Sequence, residues 1–222
     1  DVYKRQPILR RKEKERFAID LSWKSSQIEG NTYTLLQTES LFKEGKHAKG
    51  NTKAEAVMLL NHQAALDYVL NKPDYFRELT VQKILEIHRF LTKGLGIPNK
   101  IRSGRVGITG TNYKPLAKAN QIQKALQDLC DLINSKRNVL EKAFIALLLI
   151  AYIQPFEDGN KRTARIICNA LLLLNKYCPI SFRTVEPEDY RYATLLFYEQ
   201  NSIPSFKKIF MEHFEFSTAN YF

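Results

Sequence analysis

Glycine and proline are both scarce in this sequence, at 9 and 8 of its 222 residues. An all-β fold with many tight turns would need more of them, because these two residues supply the backbone conformations of such turns. Long apolar runs are also missing. The longest nearly apolar stretch, Ala143 to Ile153, is shorter than the ~20 residues of a membrane-spanning helix. The sequence therefore predicts a helical protein without a membrane partner.

Cysteine occurs only three times, as Cys130, Cys168 and Cys178. The number is odd and the spacings match no zinc-binding pattern, so neither a disulfide framework nor a zinc site is indicated. We interpret the three residues as buried thiols in a reducing compartment, which favours a cytoplasmic location. No signal peptide opens the sequence, and a first residue of Asp1 rather than Met is typical of a fragment or a processed chain.

Positive charge is in clear excess, with 34 Lys and Arg against 23 Asp and Glu and a net charge of +11. This excess fits a polyanionic partner such as nucleic acid, a nucleotide or an acidic protein. The alternative is a basic protein whose lysines are solvated. A nucleic-acid partner is disfavoured, because no reading helix or aromatic platform is recognisable.

Apolar residues recur with helical spacing through most of the sequence, which predicts an all-α bundle. The pattern is interrupted over 106–115, where β-branched residues alternate around glycines and predict a small hairpin or flap. A free hairpin edge can take up another chain by strand addition, although the segment could equally be a structural connection. His88 has no second ligand at metal-binding spacing, so we interpret it as a satisfied core or boundary histidine. Helices are predicted over 17–28, 37–43, 52–70, 81–92, 119–134, 140–153, 160–174 and 204–214, with another starting near 186.

A polar turn separates two apolar stretches and leads into a helix that Asn160 can cap. The first N–H groups of such a helix are unpaired, and Gly159 lets a ligand approach the backbone closely. Arg162 and Arg165 lie on successive turns of one face, so the turn predicts a phosphate site. Asp158 beside it suits Mg²⁺ that bridges the phosphates of a nucleotide. The alternative is a plain helix cap with solvated arginines.

The first predicted helix ends at Gly30, which places Glu29 close to its C-terminus. The helix dipole disfavours an anion there. Glu29 is therefore predicted to have a cationic partner, unless it is a solvated surface residue.

Residues 154–165 resemble the signature of the Fic family, His-x-Phe-x-Asp/Glu-Gly-Asn-Gly-Arg-x-x-Arg. The stretch from Ser25 to Gly30 resembles the family's inhibitory motif, Ser/Thr-x-x-x-Glu-Gly/Asn, and residues 102–115 resemble its flap. These motifs occur in the family's order and the likeness covers most of the chain. The matching residues are Phe156, Asp158, Gly159, Asn160, Arg162 and Arg165 in the signature, and Val106, Ile108, Gly110, Tyr113 and Pro115 in the flap.

The resemblance implies a Fic-type helical bundle with a small β-hairpin flap. It implies an N-terminal helical region over 1–72 that carries the inhibitory helix. A Fic core over 73–222 would then carry the flap, the active-site loop and the C-terminal helices. It also implies a protein adenylyltransferase, which moves AMP from Mg-ATP to a Ser, Thr or Tyr hydroxyl of an unidentified target protein. The resemblance leaves a homodimer open.

The family's residue roles are carried over by position. The resemblance implies that Asp158 holds Mg²⁺ and that Arg162 acts in catalysis. It implies that Arg165 meets the γ-phosphate or, at rest, pairs with Glu29, which would block productive ATP binding. The implied nucleotide-binding residues are Gly159, Asn160, Lys161, Arg162 and Arg165; the implied regulatory residues are Ser25, Glu29 and Gly30; the implied target-binding residues are Val106, Ile108, Gly110 and Tyr113.

Two positions depart from the family pattern. Lys161 replaces the usual second glycine, as in the Doc-type kinases, which transfer phosphate rather than AMP. Gln154 replaces the histidine that takes the proton from the attacking hydroxyl, and glutamine has no usable pKa. Whether the chain is an active enzyme is therefore left open. The alternatives are a non-catalytic ATP-binding regulatory module and a Doc-like phosphotransferase.

Overall fold

The structure, a computed structural model, describes residues 11–221, with side chains from Lys12 onward. Within that range the elements are all helical and no residue forms a strand, so the predicted all-α class is confirmed. None of the helices in this range has both the length and the apolar character needed to cross a membrane. The helices are α1 (Arg11–Ile28), α2 (Leu35–Glu44), α3 (Lys53–Asn71), a 3-10 turn (Pro73–Phe76), α4 (Val81–Thr92), α5 (Ala119–Ser135), α6 (Val139–Ile153), α7 (Asn160–Leu174), α8 (Pro187–Gln200) and α9 (Pro204–Tyr221).

Threonine side chains fix the starts of three helices. Thr34 and Thr52 each accept a hydrogen bond from a backbone N–H three residues on, and Gln37 and Glu55 return one. This reciprocal pair is a capping box. Thr80 caps α4, because its side chain accepts a hydrogen bond from the N–H of Lys83.

The core is built around α6 and α7, which a short loop joins. α6 is apolar on nearly every side and α7 is buried along most of its length. α3 and α4 pack against α7, α5 packs against α6, and α1 contacts α3, α7 and α8. All three cysteines are buried free thiols, as predicted. The end of α6 and the start of α7 therefore meet where the polar turn lies.

The division of the chain into residues 1–72 and 73–222 stays a prediction. Residues 1–10 of the proposed N-terminal region lie outside the described residues. α1 belongs to that region, yet it contacts α7 and α8 of the proposed core. The helix that the resemblance predicts to be inhibitory is therefore packed directly against the elements that it would regulate.

A buried carboxylate holds α1 against the C-terminal part of the chain. Asp20 is 1% exposed, and its two oxygens lie 2.8 and 2.9 Å from Nη1 of Arg183. The hydroxyl of Tyr221 in α9 donates to the same carboxylate at 2.6 Å. Through these contacts Asp20 fixes the packing of the helix that leads to Glu29.

Replacing Asp20 with asparagine should lower the free energy of unfolding by about 3 kcal/mol, because it leaves a partly buried guanidinium without its anion. Urea unfolding of the two proteins measures the difference. Asp128→Asn is the matched control, since Asp128 pairs with Lys124 on the surface and such pairs contribute about 1 kcal/mol or less. Equal losses in the two variants would contradict a stabilising role for Asp20.

The predicted β-hairpin over 106–115 is wrong, because residues 101–118 contain no strand. A backbone hydrogen bond from the N–H of Gly104 to the carbonyl of Ala117 (2.9 Å) closes the base of the loop.

Two side chains of α8 form hydrogen bonds with the flap backbone. The N–H of Asn112 donates to Oε1 of Glu199 at 3.0 Å, and Nη2 of Arg191 donates to the carbonyl of Thr109 at 3.4 Å. Tyr113 stacks on a tyrosine of α6. These contacts pair two of the flap's backbone groups with α8 and fix Tyr113 against α6, and tertiary contacts of this kind compete with the strand pairing that the alternating pattern favours.

Candidate active site

The loop over 154–159 joins α6 to α7 and is held by its own side chains. Gln154 ends α6 in a left-handed conformation (φ 52°), and Gly159 precedes α7 with φ 82°. Asn160 does not cap the helix as predicted, because Gly159 takes that position. Instead its side chain turns back into the loop, accepting from the N–H of Phe156 and donating to the carbonyl of Phe156, both at 2.9 Å.

His88 of α4 packs beneath this loop. Its ring stacks on Phe156 with the ring centroids 3.7 Å apart, and its Nε2 lies 3.0 Å from the carbonyl oxygen of Asp158. A carbonyl can only accept, so Nε2 carries a proton. A Cβ at Gly159 would meet His88 and Thr92 at 3.4 Å, an ordinary contact distance, so the positive φ rather than the packing favours glycine there. His88 is a satisfied buried histidine, as predicted.

Gln154, at the position of the family's histidine, is 9% exposed and its carboxamide is bonded within the loop. Its Oε1 accepts from Nδ2 of Asn160 at 2.9 Å, and its Nε2 donates to the carbonyl of Ala151. Its own carbonyl accepts from Nε of Arg102 at 2.6 Å. The side chain therefore stabilises the loop and offers no titratable group.

Arg162 is 1% exposed, in the first turn of α7. Its Nη2 lies 3.0 Å from Oδ2 of Asp158, while its Nε and Nη1 have no hydrogen-bond partner within residues 12–221. Buried N–H groups of this kind are costly when unpaired. At the N-terminus of a helix they suit an anionic ligand.

Glu29 reaches from the end of α1 to the start of α7. Its Oε1 accepts from Nη2 of Arg165 at 2.7 Å, and its Oε2 accepts from Nζ of Lys161 at 2.9 Å. Burial by itself would raise the pKa of Glu29, but Arg165 and Lys161 outweigh it and hold that pKa at about 2. An ionised carboxylate therefore occupies the cationic start of α7, where the sequence predicts phosphate.

Gly30 shapes the turn that presents this carboxylate. Its N–H donates to the carbonyl of Gln27 at 2.9 Å, and the N–H of Asn31 donates to the carbonyl of Ser26 at 3.0 Å. Together with the positive φ of Gly30 (92°), these bonds form a Schellman motif. Glu29 thus leaves the helix at a defined angle.

Ser25, the first residue of the same motif, also binds Arg165. Its Oγ accepts from Nε of Arg165 at 2.8 Å, and its carbonyl accepts from Nη2 at 2.9 Å. The structure therefore brings all three predicted regulatory residues to one end of α1. Two of them, Ser25 and Glu29, bind the same arginine.

A cavity of about 540 Å³ opens beside Glu29 and Lys161. This volume lies within the range of small-molecule sites. Its walls come from the end of α1, the 154–159 loop, the start of α7, the flap and α8. The flap contributes Gly107, Ile108 and Thr109 to the cavity wall. Of the predicted target-binding residues only Ile108 is among them, whereas Val106, Gly110 and Tyr113 do not line the cavity.

Asp158 lines the cavity and is the predicted metal ligand. Within residues 12–221 no three His, Cys, Asp or Glu side chains come close enough together to hold a metal ion. Mg²⁺ is often bound by one or two carboxylates together with the phosphates of a nucleotide. The side chain of Asp158, 63% exposed, fits that arrangement.

Comparison with known proteins decides the family. The family model of the Fic/DOC family matches residues 78–172. The chain carries a Fic/DOC family domain. The matched segment includes the flap, the 154–159 loop and most of α7, whereas α1 precedes it.

Curated relatives are protein adenylyltransferases by name. The chain is 27% identical over 205 residues to "Protein adenylyltransferase fic-1" of Caenorhabditis elegans, covering 87% of this chain and 39% of that protein. It is 31% identical over 174 residues to "Protein adenylyltransferase Fic" of Nematostella vectensis, covering 75% of this chain and 40% of that protein. The chain thus spans well under half of either relative.

Solved structures share the fold. Fic-1 from C. elegans superposes with a TM-score of 0.79 at 26% identity, over 96% of this chain and 64% of that chain. A Fic family protein from Desulfovibrio desulfuricans G20 superposes with a TM-score of 0.80 at 25% identity, over 95% of this chain and 66% of that chain. The likeness extends beyond the Fic/DOC match, over nearly the whole chain.

Three residues at the site are not among those the sequence singled out for a role. Arg102 holds the carbonyl of Gln154, and Arg191 lines the cavity from α8. His62 of α3 is fully buried and forms a hydrogen bond with Ser25 of α1. The one local signal for His62 is its place on the apolar stripe of α3 with Leu59 and Leu66, which predicts burial but no function.

Proposed function

We propose that this chain is the nucleotide-binding and target-binding part of a protein adenylyltransferase of the Fic type. In this proposal it binds Mg-ATP in the cavity between α7, α8 and the flap. Glu29 inhibits it at rest, and Gln154 weakens its transfer step. The target protein contacts the flap, and the modified group is a hydroxyl of that protein.

The observation that carries the proposal is the carboxylate of Glu29 at the start of α7. It lies 2.7 Å from Arg165 and 2.9 Å from Lys161, which are cations suited to the phosphates of ATP. An anion from α1 and an anionic ligand cannot use the same cations at once. Occupancy by Glu29 therefore opposes productive ATP binding. The names of the relatives support adenylyl transfer as the reaction.

In adenylyl transfer the hydroxyl oxygen of the target forms a bond to the α-phosphorus of ATP. The bond from that phosphorus to the bridging oxygen breaks, pyrophosphate leaves, and the hydroxyl proton must be accepted. Two buried nitrogens of Arg162, Nε and Nη1, have no hydrogen-bond partner within residues 12–221, which supports a role for this residue in binding phosphate oxygens. Mg²⁺ held by Asp158 would offset the negative charge of the phosphates. Gln154 can accept a hydrogen bond but cannot take the proton away.

A non-catalytic ATP-binding module is the second candidate. The hydrogen bonds of the Gln154 carboxamide to Asn160 and Ala151 favour it. They give the residue at the expected position of the general base a structural role in place of a catalytic one. Such a module would bind ATP without transferring any part of it. The third candidate, a Doc-like phosphotransferase, is supported by Lys161 alone.

Labelled ATP separates these three functions. The Gln154→His/Glu29→Gly double variant is incubated with Mg²⁺, cell lysate and ATP labelled at either the α- or the γ-phosphate. Adenylyl transfer labels a protein from the α-position only, and phosphate transfer labels it from the γ-position only. If neither label reaches a protein although calorimetry detects ATP binding, the adenylyltransferase proposal fails and the binding module stands.

A further inference from the structure

His62 lies midway along α3 and connects the regulatory end of α1 to the core. It is fully buried, and so are its two partners in α1, Ser22 and Ser25. Its Nε2 lies 2.7 Å from Oγ of Ser25, and its Nδ1 lies 3.2 Å from Oγ of Ser22. Neither of these bonds reaches Arg165. His62 is therefore linked to Arg165 only through Ser25, which binds both residues.

The direction of the bond between Arg165 and Ser25 is fixed by the chemistry of the groups, whereas the two bonds of His62 depend on its tautomer. A guanidinium can only donate, so Oγ of Ser25 accepts from Nε of Arg165. The single proton of that hydroxyl can then be donated to an unprotonated Nε2 of His62, with the ring proton on Nδ1 donated to Ser22. In the opposite tautomer Ser25 would accept from both His62 and Arg165, and its own proton would have neither of them as an acceptor. Burial and then the charges of Arg165 and Arg162 lower the pKa of His62 to about 3, so the ring is neutral.

We infer that His62 is a positioning residue for the inhibited state. By accepting the proton of Ser25, it turns a lone pair of that hydroxyl towards Nε of Arg165. Arg165 is then held by α1 at three points: the hydroxyl of Ser25, the carbonyl of Ser25 and the carboxylate of Glu29. This role rests on the proposed function, in which these contacts to Arg165 compete with the binding of ATP.

Two substitutions of His62 separate its two hydrogen bonds. The amide of glutamine falls near the Nε2 position of histidine, so His62→Gln keeps an acceptor for Ser25. The amide of asparagine falls near the Nδ1 position, so His62→Asn keeps a partner for Ser22 and leaves the proton of Ser25 without an acceptor. Both variants replace the ring with an amide at a buried site, so loss of ring packing is common to both.

Calorimetry with Mg-ATP tests the inference. His62→Asn should tighten ATP binding about 5- to 30-fold, the range expected when a buried hydrogen bond of the inhibited state is lost. His62→Gln should stay within about twofold of the unmodified chain, and the effect of His62→Asn should be smaller in a Glu29→Gly background, where only Ser25 still binds Arg165 from α1. Equal effects of the two amides, or the same effect of His62→Asn with and without Glu29, would overturn the positioning role.

Nuclear magnetic resonance of the ring nitrogens tests the proton arrangement without ATP. We expect the Nδ1–H tautomer of His62, with Nε2 unprotonated. The Nε2–H tautomer would overturn the inference even if ATP binds as proposed. Absence of ATP binding to Glu29→Gly would overturn the proposed function instead, and the tautomer would still decide whether His62 orients Ser25.

Discussion

Replacing Glu29 with glycine should tighten the binding of Mg-ATP about 5- to 150-fold, the usual range of coupling between two competing sites. The substitution removes the carboxylate that binds Arg165 and Lys161. Both cations then become available to the phosphates, and ATP no longer has to displace an internal anion. Isothermal titration calorimetry of the two proteins measures the change.

Glu157→Gly is the matched control for this prediction. Glu157 lines the same cavity and has the same charge, but it forms no ion pair within residues 12–221. Its loss changes the charge of the site without freeing a cation, so affinity should change by no more than about twofold. If the two glycine variants gain equal affinity, the gain reflects net charge, and the inhibitory role of Glu29 is contradicted.

The composition of the site could be predicted because its parts are local in sequence. Asp158, Arg162 and Arg165 lie within two turns of one another, and helix geometry places the two arginines on successive turns of α7. The partnership of Glu29 and Arg165 spans 136 residues. The position of Glu29 at the end of a helix predicts a cationic partner. Only the family resemblance identifies Arg165 as that partner.

Contacts that depend on the packing of distant helices could not be predicted. The ion pair of Lys161 with Glu29 spans 132 residues, and nothing in the spacing of either residue indicates it. The flap shows the same limit. Its alternating pattern favours a hairpin, yet the N–H of Asn112 binds Glu199, 87 residues away in α8. Tertiary contacts outweigh local β-propensity here, as is usual for short segments.

Introducing a histidine at residue 154 should raise the rate of AMP transfer about 10²- to 10⁴-fold, the typical contribution of a general base. The comparison is between Glu29→Gly and the Gln154→His/Glu29→Gly double variant, so that ATP binding is equally open in both. Residue 154 ends α6 and lines the cavity, so a base there can face a bound substrate. Incorporation of α-labelled AMP into protein, measured over time, gives the rates.

The control for this gain is Gln154→Ala in the same Glu29→Gly background. Alanine loses the same bonds to Asn160 and Ala151 as histidine does, but it supplies no imidazole. The histidine variant should gain activity as pH rises through the ordinary pKa of its imidazole, about 6.5, because the neutral ring is the base. The alanine variant should show no such rise. Equal rates in the two variants would mean that loosening of the loop, rather than the base, governs transfer, and that Gln154 limits activity by holding Asn160 in place.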